Sequence, residues 1–319
     1  IAYGGWLMVH GQSTLGVLVA FLAYITRFFQ PVRTLTQFYN QLQAATAAAE
    51  KVFELLDEPV TIQEAAQPVS LRRVEGDVEF RNVAFSYGRE PVLEGVSFHA
   101  APGEMIALVG HTGAGKTTIA SLLARFYDPV EGSILVDGVD LRDLSFETLR
   151  RSIGLVLQDN FLFSGTIADN IRYARPEASD EDMIAAAKVA NAHDFIERLP
   201  RGYQTQVLER AANLSLGQRQ LIAIARAVLA DPRVLILDEA TSNIDSQTEL
   251  LVQQALGKLL AGRTSLVIAH RLSTIRAADE VLVLDAGRVV ERGNHHDLLR
   301  KRGFYFELYQ QQFAELIPA

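Results

Sequence analysis

The strongest chemical signal in the sequence lies in eight consecutive residues: Gly110, His111, Thr112, Gly113, Ala114, Gly115, Lys116 and Thr117. They have the spacing G-x-x-x-x-G-K-[ST], whose glycines let the backbone curl so that its N–H groups face phosphate oxygens at the start of a helix. Lys116 would neutralise the β- and γ-phosphates, and the hydroxyl of Thr117 would bind Mg²⁺. Together with the next residue, Thr118, the segment predicts a binding site for a nucleoside triphosphate.

A pair of carboxylates, Asp238 and Glu239, follows the apolar run 234–237. An acid at a strand end beside a phosphate-binding loop is placed to hold Mg²⁺, usually through water. The next carboxylate can then orient or deprotonate an attacking water molecule. The alternative is a pair of solvated acids at a strand end. Because the phosphate-binding loop is present, we interpret the pair as part of a hydrolytic site.

The elements that must position these residues are strands and helices in alternation. Residues 105–109 form a continuous apolar run, typical of a strand buried on both faces, and lead directly into the phosphate-binding loop. A helix is predicted after the loop at 118–127, and two alternating strands are predicted earlier at 78–87 and 92–100. This order predicts an α/β domain.

The composition excludes several classes of protein. The chain has 319 residues, a net charge of -8 and no cysteine. An acidic chain lacks the basic footprint of a sequence-independent nucleic-acid binder, and without cysteine it has neither disulfides nor thiolate metal sites. A hydrophobic fraction of 49% excludes a disordered chain.

The apolar residues are concentrated at the start, where the first 26 residues contain no Asp, Glu, Lys or Arg. The block 1–9 is too short to cross a bilayer, so we expect it to be the tail of a span whose beginning is missing, in agreement with Ile at position 1. The second block is predicted to span at about 13–33. Arg27 and Arg33 then place its C-terminal end in the cytoplasm by the positive-inside rule. The alternatives are a signal peptide and a buried helix of a soluble protein.

An amphipathic helix is predicted to continue from this span into the cytoplasm. Its apolar positions step by three and four residues and form one stripe: Leu35, Phe38, Leu42, Ala45, Ala49, Val52 and Leu56. An ordinary packing helix would have the same pattern. The predicted organisation is therefore the end of a transmembrane domain at 1–56, a linker at 57–74 and a nucleotide-binding domain at 75–313.

Further motifs narrow the family. They are Leu214-Ser215-Leu216-Gly217-Gln218 before a predicted helix at 219–229, Gln158 after the strand 153–157, Ser242-Asn243-Ile244-Asp245 after Glu239, and His270 after the strand 266–269. Together with the phosphate-binding loop they resemble the ATP-binding cassette (ABC) ATPases from about residue 78 to the C-terminal helix. With the upstream helix, the sequence is similar to the C-terminal part of an ABC exporter half-transporter.

The resemblance implies a role for single residues. Tyr87 matches the aromatic residue that stacks on adenine, and Gln158 matches the glutamine that contacts Mg²⁺ and the attacking water. Asp238 and Glu239 match the metal-holding and the catalytic acid, and His270 matches the histidine that contacts the γ-phosphate. The implied catalytic residues are thus Glu239, His270, Gln158 and Lys116, and the implied metal ligands are Thr117, Gln158 and Asp238.

The resemblance also implies that the active site is shared between two cassettes. The motif Leu214–Gln218 would close over ATP held by the opposite cassette, with Ser215 and the N–H of Gly217 directed at the γ-phosphate. Residues 242–245 would form a loop at the dimer interface. The sequence departs from the family at Leu216, where Gly is commonest. It also departs at Leu208 and Ala211, where glycines are usual, and this difference bears on the flexibility of the segment 208–211.

The predicted fold is a membrane α-helical segment fused to an α/β P-loop NTPase, namely an ABC ATPase domain with an antiparallel β subdomain and a helical subdomain. The implied function is the ATP-hydrolysing subunit of an exporter in a bacterial-type inner or plasma membrane, with the cassette in the cytoplasm. ATP and Mg²⁺ are the implied cofactors. The implied partners are a second half-transporter, the bilayer and an exported substrate, with no nucleic acid. The alternatives are a soluble non-transport ABC ATPase and a degenerate cassette that binds ATP only to regulate a partner.

Overall fold

The computed structural model describes residues 1–157, 161–238, 245–269 and 271–313. The chain divides into two compact units, Ile1–Thr61 and Ile62–Ala319.

The first unit is helical, with α1 (Ala2–Val9) and α2 (Leu15–Leu56). The hydroxyl of Thr14 caps α2 by accepting a hydrogen bond from the N–H of Val17 at 3.4 Å. The 42 residues of α2 give a length of about 63 Å at 1.5 Å per residue. This helix is long and apolar enough to cross a membrane, with a mean hydropathy of 1.6 in its most apolar window, and none of its residues is buried. The predicted span and its extension therefore form one helix, which continues through Pro31.

The second unit contains both strands and helices. Its strands are β1 (Val78–Ser86), β2 (Pro91–Ala100), β3 (Met105–Gly110), β4 (Glu131–Val136), β5 (Val139–Asp140), β6 (Ile153–Val156), β7 (Gly165–Thr166), β8 (Gln206–Val207), β9 (Val234–Asp238), β10 (Thr264–Ile268), β11 (Glu280–Asp285) and β12 (Arg288–Gly293). Its helices are α3 (Lys116–Leu123), α4 (Phe146–Ser152), α5 (Ile167–Arg172), α6 (Asp180–Val189), α7 (His193–Glu197), α8 (Leu216–Ala230), α9 (Ser246–Leu260), α10 (Leu272–Ala277), α11 (His295–Lys301) and α12 (Phe304–Phe313).

The strands form two main sheets. A six-stranded sheet has the order β12-β11-β3-β10-β9-β6, in which β12 runs antiparallel to β11 and the other neighbours are parallel. A four-stranded antiparallel sheet has the order β2-β1-β4-β5. The carboxyl ends of the parallel strands share one edge of the six-stranded sheet, where open α/β sheets bind their ligands.

Strand β3 is buried on both faces, as its continuous apolar run predicts. Ala107 and Val109 pack with the helical side of the domain, in the same cluster as Ile222 of α8. Ile106 and Leu108 lie in the second cluster, which includes the antiparallel sheet. The strand that carries the phosphate-binding loop is therefore fixed from both sides.

The helix after the phosphate-binding loop is shorter at its C-terminal end than predicted, because it ends at Leu123 rather than at 127. Arg125 has φ 51°, and the N–H of Phe126 donates to the carbonyl of Ser121 at 2.9 Å. This is a left-handed helix stop in which arginine occupies the position that glycine usually holds. The Arg125 side chain is buried and pairs with Asp128 at 3.0 Å, an interaction that accompanies the left-handed backbone.

Candidate nucleotide-binding site

The phosphate-binding loop lies between β3 and α3, at the carboxyl edge of the six-stranded sheet. Its last residue, Gly115, has φ +100°, a backbone conformation that side chains disfavour. A Cβ atom there would lie 2.5 Å from the Cδ2 of Leu93. A Cβ at Gly110 would overlap the carbonyl oxygen of Leu284. Glycine is therefore required at both ends of the loop, as the motif predicts.

Lys116 is held inside this loop. Its side chain is only 8% exposed, and its Nζ donates to the carbonyls of Gly110 at 2.8 Å and His111 at 2.9 Å. An ammonium group has three hydrogens, so these two bonds leave one for a phosphate oxygen. Burial lowers the pKa of Lys116, and the nearby carboxylate of Asp238 partly opposes that shift.

The buried position of Lys116 predicts how nucleotide affinity depends on pH. The lysine binds phosphate as its ammonium ion, so its contribution is fully present below the pKa in the free protein and is lost as the pH rises through that pKa. Burial lowers the pKa of Lys116. We therefore expect the affinity for ATP to begin to fall at a lower pH than it would if the loop lysine had the pKa of a solvent-exposed lysine. Equilibrium titration with ATP between about pH 7 and about pH 11 measures this.

Lys116→Arg is the control for this titration, because arginine stays protonated over the whole range. This variant should bind more weakly, since its planar guanidinium does not fit a site made for an ammonium group, but its affinity should not fall with pH. A wild-type affinity that stays constant into the ordinary lysine range would contradict the expected pH dependence.

Two of the predicted magnesium ligands lie at the same edge of the sheet. Thr117 is exposed in the first turn of α3, and Asp238 ends β9. Asp238 is level with Ile268 of β10, which is level with Leu108 of β3. No cluster of three or more His, Asp or Glu residues that could hold a metal occurs in the described part of the chain. A hydroxyl and one carboxylate suit Mg²⁺, which prefers oxygen ligands and keeps several of its waters or takes phosphate oxygens.

Several predicted site residues lie outside the described residues: Gln158, Glu239, Ser242, Asn243, Ile244 and His270. The strands that precede them in the sequence, β6, β9 and β10, are described and are parallel neighbours. These strands end at the edge that carries the phosphate-binding loop. The roles of these six residues stay predictions.

Tyr87 follows β1 and keeps an exposed face, with 55% of its surface accessible. Its ring makes edge contacts with Phe85, at a centroid distance of 4.9 Å, and with Tyr127, at 5.0 Å. Its hydroxyl donates a long hydrogen bond of 3.4 Å to Thr118. Sequence reasoning missed Tyr127 because it assigned that residue to the helix after the loop.

Replacing Tyr87 with Ala is expected to weaken ATP binding by about 1–3 kcal/mol, the contribution of a base stacked on an aromatic ring. Phe and Trp should retain the affinity, because they keep the ring and lose only the weak bond to Thr118. Equilibrium titration of the three variants with ATP measures the difference. A Phe variant as weak as the Ala variant would mean that the hydroxyl, rather than the ring, matters.

The motif Leu214–Gln218 begins helix α8. The hydroxyl of Ser215 accepts a hydrogen bond from the N–H of Gln218 at 3.2 Å, and the side-chain carbonyl of Gln218 accepts one from the N–H of Ser215 at 3.0 Å. This capping box leaves the O–H of Ser215 as a donor at the positive end of a 15-residue helix. Leu214 and Gly217 are buried and Ser215 is exposed, so the hydroxyl of Ser215 lies at the surface of the domain.

The two positions near this motif at which the family usually has glycine differ in backbone conformation. Leu208 has extended backbone, which any residue adopts. Ala211 has φ 52°, and that region costs an L residue about 1–2 kcal/mol. Its buried methyl group contributes about 0.8 kcal/mol, and alanine avoids roughly 0.5–1 kcal/mol of the backbone entropy that glycine loses. These terms nearly cancel, which explains how alanine is tolerated at this position.

Asp245, which the family resemblance assigns to a loop at the dimer interface, caps a helix in the structure. Its carboxylate caps α9 by accepting a hydrogen bond from the N–H of Thr248 at 2.9 Å, and this bond lowers the pKa of Asp245. The sequence signal was available, because an acid directly before an amphipathic helix is a typical N-cap.

Comparisons with known proteins identify the family. Residues 93–242 match the ABC transporter family model. The chain is 50% identical over 315 residues to the ABC transporter ATP-binding protein YfiC of Bacillus subtilis, covering 98% of this chain and 52% of YfiC. It is 50% identical over 307 residues to a fatty acid ABC transporter ATP-binding/permease protein of Mycobacterium bovis, covering 96% of this chain and 48% of that protein. It is 46% identical over 315 residues to an ATP-dependent lipid A-core flippase of Syntrophus aciditrophicus, covering 99% of this chain and 52% of the flippase.

A solved structure agrees with these relatives. The structure of a bacterial Atm1-family ABC exporter with ATP bound matches with a TM-score of 0.76 and 42% identity, over 98% of this chain and 55% of that one. The chain spans about half the length of the curated relatives it matches. The similarity covers nearly the whole chain. It therefore includes the phosphate-binding loop, the capped motif at α8 and the long apolar helix. Residues 93–242 therefore belong to the ABC transporter family, and the chain carries an ABC ATPase domain after a long apolar helix.

Proposed function

We propose that the chain is the ATP-binding and ATP-hydrolysing part of an ABC exporter, in which ATP bound between two cassettes drives efflux of a substrate across a membrane. The observation that carries the proposal is the loop around Lys116. Its ammonium is buried between loop carbonyls, with Asp238 close enough to act on it electrostatically. Such a site binds the phosphates of a nucleotide and has a carboxylate beside them.

Hydrolysis needs the chain to hold phosphate and to activate water. Lys116 binds the β- and γ-phosphate oxygens, while Thr117 and Asp238 are the described residues that would hold Mg²⁺. When bound, Mg²⁺ neutralises negative charge that develops on the transferred phosphoryl group. Glu239 takes the proton of the attacking water, and His270 holds the γ-phosphate in place. Gln158 matches the family's glutamine and would contact the metal and the attacking water.

The site is completed by a second cassette. The oxygen of Ser215 accepts a hydrogen bond from the N–H of Gln218, which leaves the O–H of Ser215 as a donor at the amino end of α8. Directed at the γ-phosphate held by the partner, it would bind ATP from the opposite side. The proposed partner is a second half-transporter, so two cassettes form two shared sites.

The apolar helix α2 supports a membrane location. A bilayer core of about 30 Å needs about 20 residues, and α2 is twice that length. We propose that its first half spans the membrane and that its second half extends into the cytoplasm. Arg27 and Arg33 follow the uncharged segment and favour a cytoplasmic C-terminal end.

This orientation predicts the result of a protease experiment. If residues 15 to about 33 span with the C-terminal end inside, protease added outside intact cells should spare everything after Arg27. The same protease should cut the cassette once the cells are permeabilised. Cleavage within the cassette of intact cells would contradict the orientation.

We propose that a helix of the membrane domain docks on an exposed cluster of aromatic side chains on the cassette. The rings of Phe161 and Phe163 are in contact at 5.0 Å, and Phe163 stacks on Tyr173 at 4.2 Å. The guanidinium of Arg226 lies over Phe163 and Tyr173. This cluster begins three residues after Gln158. Movement of a helix docked on it would therefore reach the residue proposed to contact the attacking water.

Phosphate release by the purified full chain in detergent tests the proposed activity. An exporter ATPase should release phosphate from Mg-ATP and should need detergent to stay in solution. A degenerate regulatory cassette would bind ATP tightly without phosphate release. A soluble ABC ATPase would stay in solution and remain active without detergent. Either of these two results would overturn the proposal.

A further inference from the structure

A cavity of about 400 Å³, away from the phosphate-binding loop, is lined mainly by positively charged side chains. Five arginines line it, against two acidic residues, in a chain whose net charge is -8. The arginines are Arg72, Arg73, Arg151, Arg175 and Arg233. Two of the lining residues directly precede parallel strands, Ser152 before β6 and Arg233 before β9. The cavity therefore lies at the edge of the six-stranded sheet where the parallel strands begin. The phosphate-binding loop is at the opposite edge, so the two sites are separate.

Ion pairs account for part of this charge. Arg175 pairs with Asp182 at 2.8 Å, and Arg73 pairs with Glu75 at 3.1 Å. Of the two lining acids, Asp231 pairs with Arg263 at 2.6 Å. These pairs leave three arginines and one acid to be considered.

The other three arginines, Arg72, Arg151 and Arg233, form no side-chain hydrogen bond or ion pair with any residue that the structure describes. The lining acid Glu147 is likewise unpaired within those residues. The carboxyl ends of α4 and α8 also border the cavity and contribute roughly half a negative charge each. Three positive charges against one carboxylate and two helix ends leave about one positive charge without compensation.

Hydrogen bonds within the protein fix the walls of the cavity. The Oγ of Ser70 donates to the Oγ of Ser145 at 3.1 Å, and the N–H of Leu71 donates to the Oγ1 of Thr148 at 3.3 Å. These bonds attach the linker segment 70–74 to α4. An anion held by Arg72, Arg151 and Arg233 would join this segment to α4 and to the loop before β9.

We propose that this arginine-lined cavity binds a phosphate-bearing anion, either a small phosphorylated molecule or the headgroup of an anionic lipid. Guanidinium groups match the geometry of phosphate oxygens and form paired, charge-assisted hydrogen bonds with them. Phosphate therefore uses the donors that the protein leaves free. Because the bound anion would link the linker segment to the cassette, it would stabilise the docked position of that segment.

The test uses the full chain in detergent, with saturating ADP to fill the phosphate-binding loop, and pyrophosphate as the probe. Calorimetric titration should give saturable binding of one pyrophosphate per chain. The triple variant Arg72→Gln, Arg151→Gln, Arg233→Gln should bind at least about tenfold more weakly, since each substitution removes a charge-assisted hydrogen bond to the anion. A charge-matched control, Arg201→Gln, Arg300→Gln, Arg302→Gln, removes three exposed arginines elsewhere and should keep the wild-type affinity.

Three results would overturn the proposal. The first two are equal weakening in both triple variants and the lack of saturable binding, since either would mean nonspecific attraction to surface charge. The third is a lowered melting temperature of the cavity variant without anion, with no change in the pyrophosphate affinity. That result would mean that the arginines stabilise the carboxyl ends of α4 and α8 and do not bind an anion.

Nanodiscs separate the two sources of phosphate. If a lipid headgroup occupies the cavity, pyrophosphate should bind more weakly to the wild-type chain in phosphatidylglycerol discs than in phosphatidylcholine discs. The cavity variant should show no such difference. If the ligand is a free phosphorylated molecule, the wild-type affinity should be the same in both discs.

Discussion

The Glu239→Gln chain is expected to bind ATP as tightly as the wild type and to release phosphate at least about a hundredfold more slowly, the usual contribution of a general base. The amide keeps the shape of the side chain, but it cannot take a proton from water. Lys116, Thr117 and Asp238 are unchanged, so the phosphates should still be bound. Single-turnover phosphate release and equilibrium ATP binding, measured on the same preparation, separate the two effects.

A matched control is Glu177→Gln, which removes the charge of an exposed glutamate outside the proposed site. It should leave both binding and hydrolysis unchanged. If Glu239→Gln hydrolyses ATP at the wild-type rate, the general base is another residue, and the role assigned to Glu239 is wrong.

The second large effect is expected from a pair of substitutions at Ser215. Asp and Asn are both good helix N-caps, so both should preserve the start of α8. Only Asp adds a negative charge, and a like charge placed against the γ-phosphate costs several kcal/mol. We therefore expect Ser215→Asp to lower the ATPase rate at least about a hundredfold, whereas Ser215→Asn should lose much less.

The melting temperature separates this effect from damage to the helix. An acid at the amino end of a helix is favourable, so Ser215→Asp should be at least as stable as the wild type. Its ATP affinity as a single chain should also be normal, because Lys116 is unchanged. Equal ATPase rates for the Asp and Asn variants would mean that Ser215 does not face a phosphate.

The sequence was sufficient to predict the centre of the site, because the relevant signals are local. The apolar run before Gly110 is a strand buried on both faces, and the loop after it has glycines where a side chain would clash or be strained. Ser215 followed three residues later by Gln218 is a capping box, although sequence reasoning assigned the pair only to phosphate binding. In the proposed shared site, one local pattern would therefore both cap the helix and bind phosphate.

The features that were missed depend on contacts between distant segments. The left-handed stop at Arg125 has no glycine to signal it, and its buried side chain contacts Asp128 and the carbonyl of Gln63. Because the helix ends early, Tyr127 contacts Tyr87 across 40 positions of the chain. The arginine-lined cavity gathers residues from four separate segments, so no spacing in the sequence could indicate it.

The most direct test of the shared site is the mass of the Glu239→Gln chain in detergent, measured by light scattering with and without Mg-ATP. If Ser215 of one chain binds the ATP held by Lys116 of another, the protein mass should double when Mg-ATP is added. The doubling should disappear when Ser215→Asp is introduced as well, and should persist with Ser215→Asn. The wild-type ATPase rate per chain should rise with protein concentration until the dimers saturate. A mass that stays at one chain in saturating Mg-ATP, together with a rate per chain independent of concentration, would contradict a site shared between two cassettes.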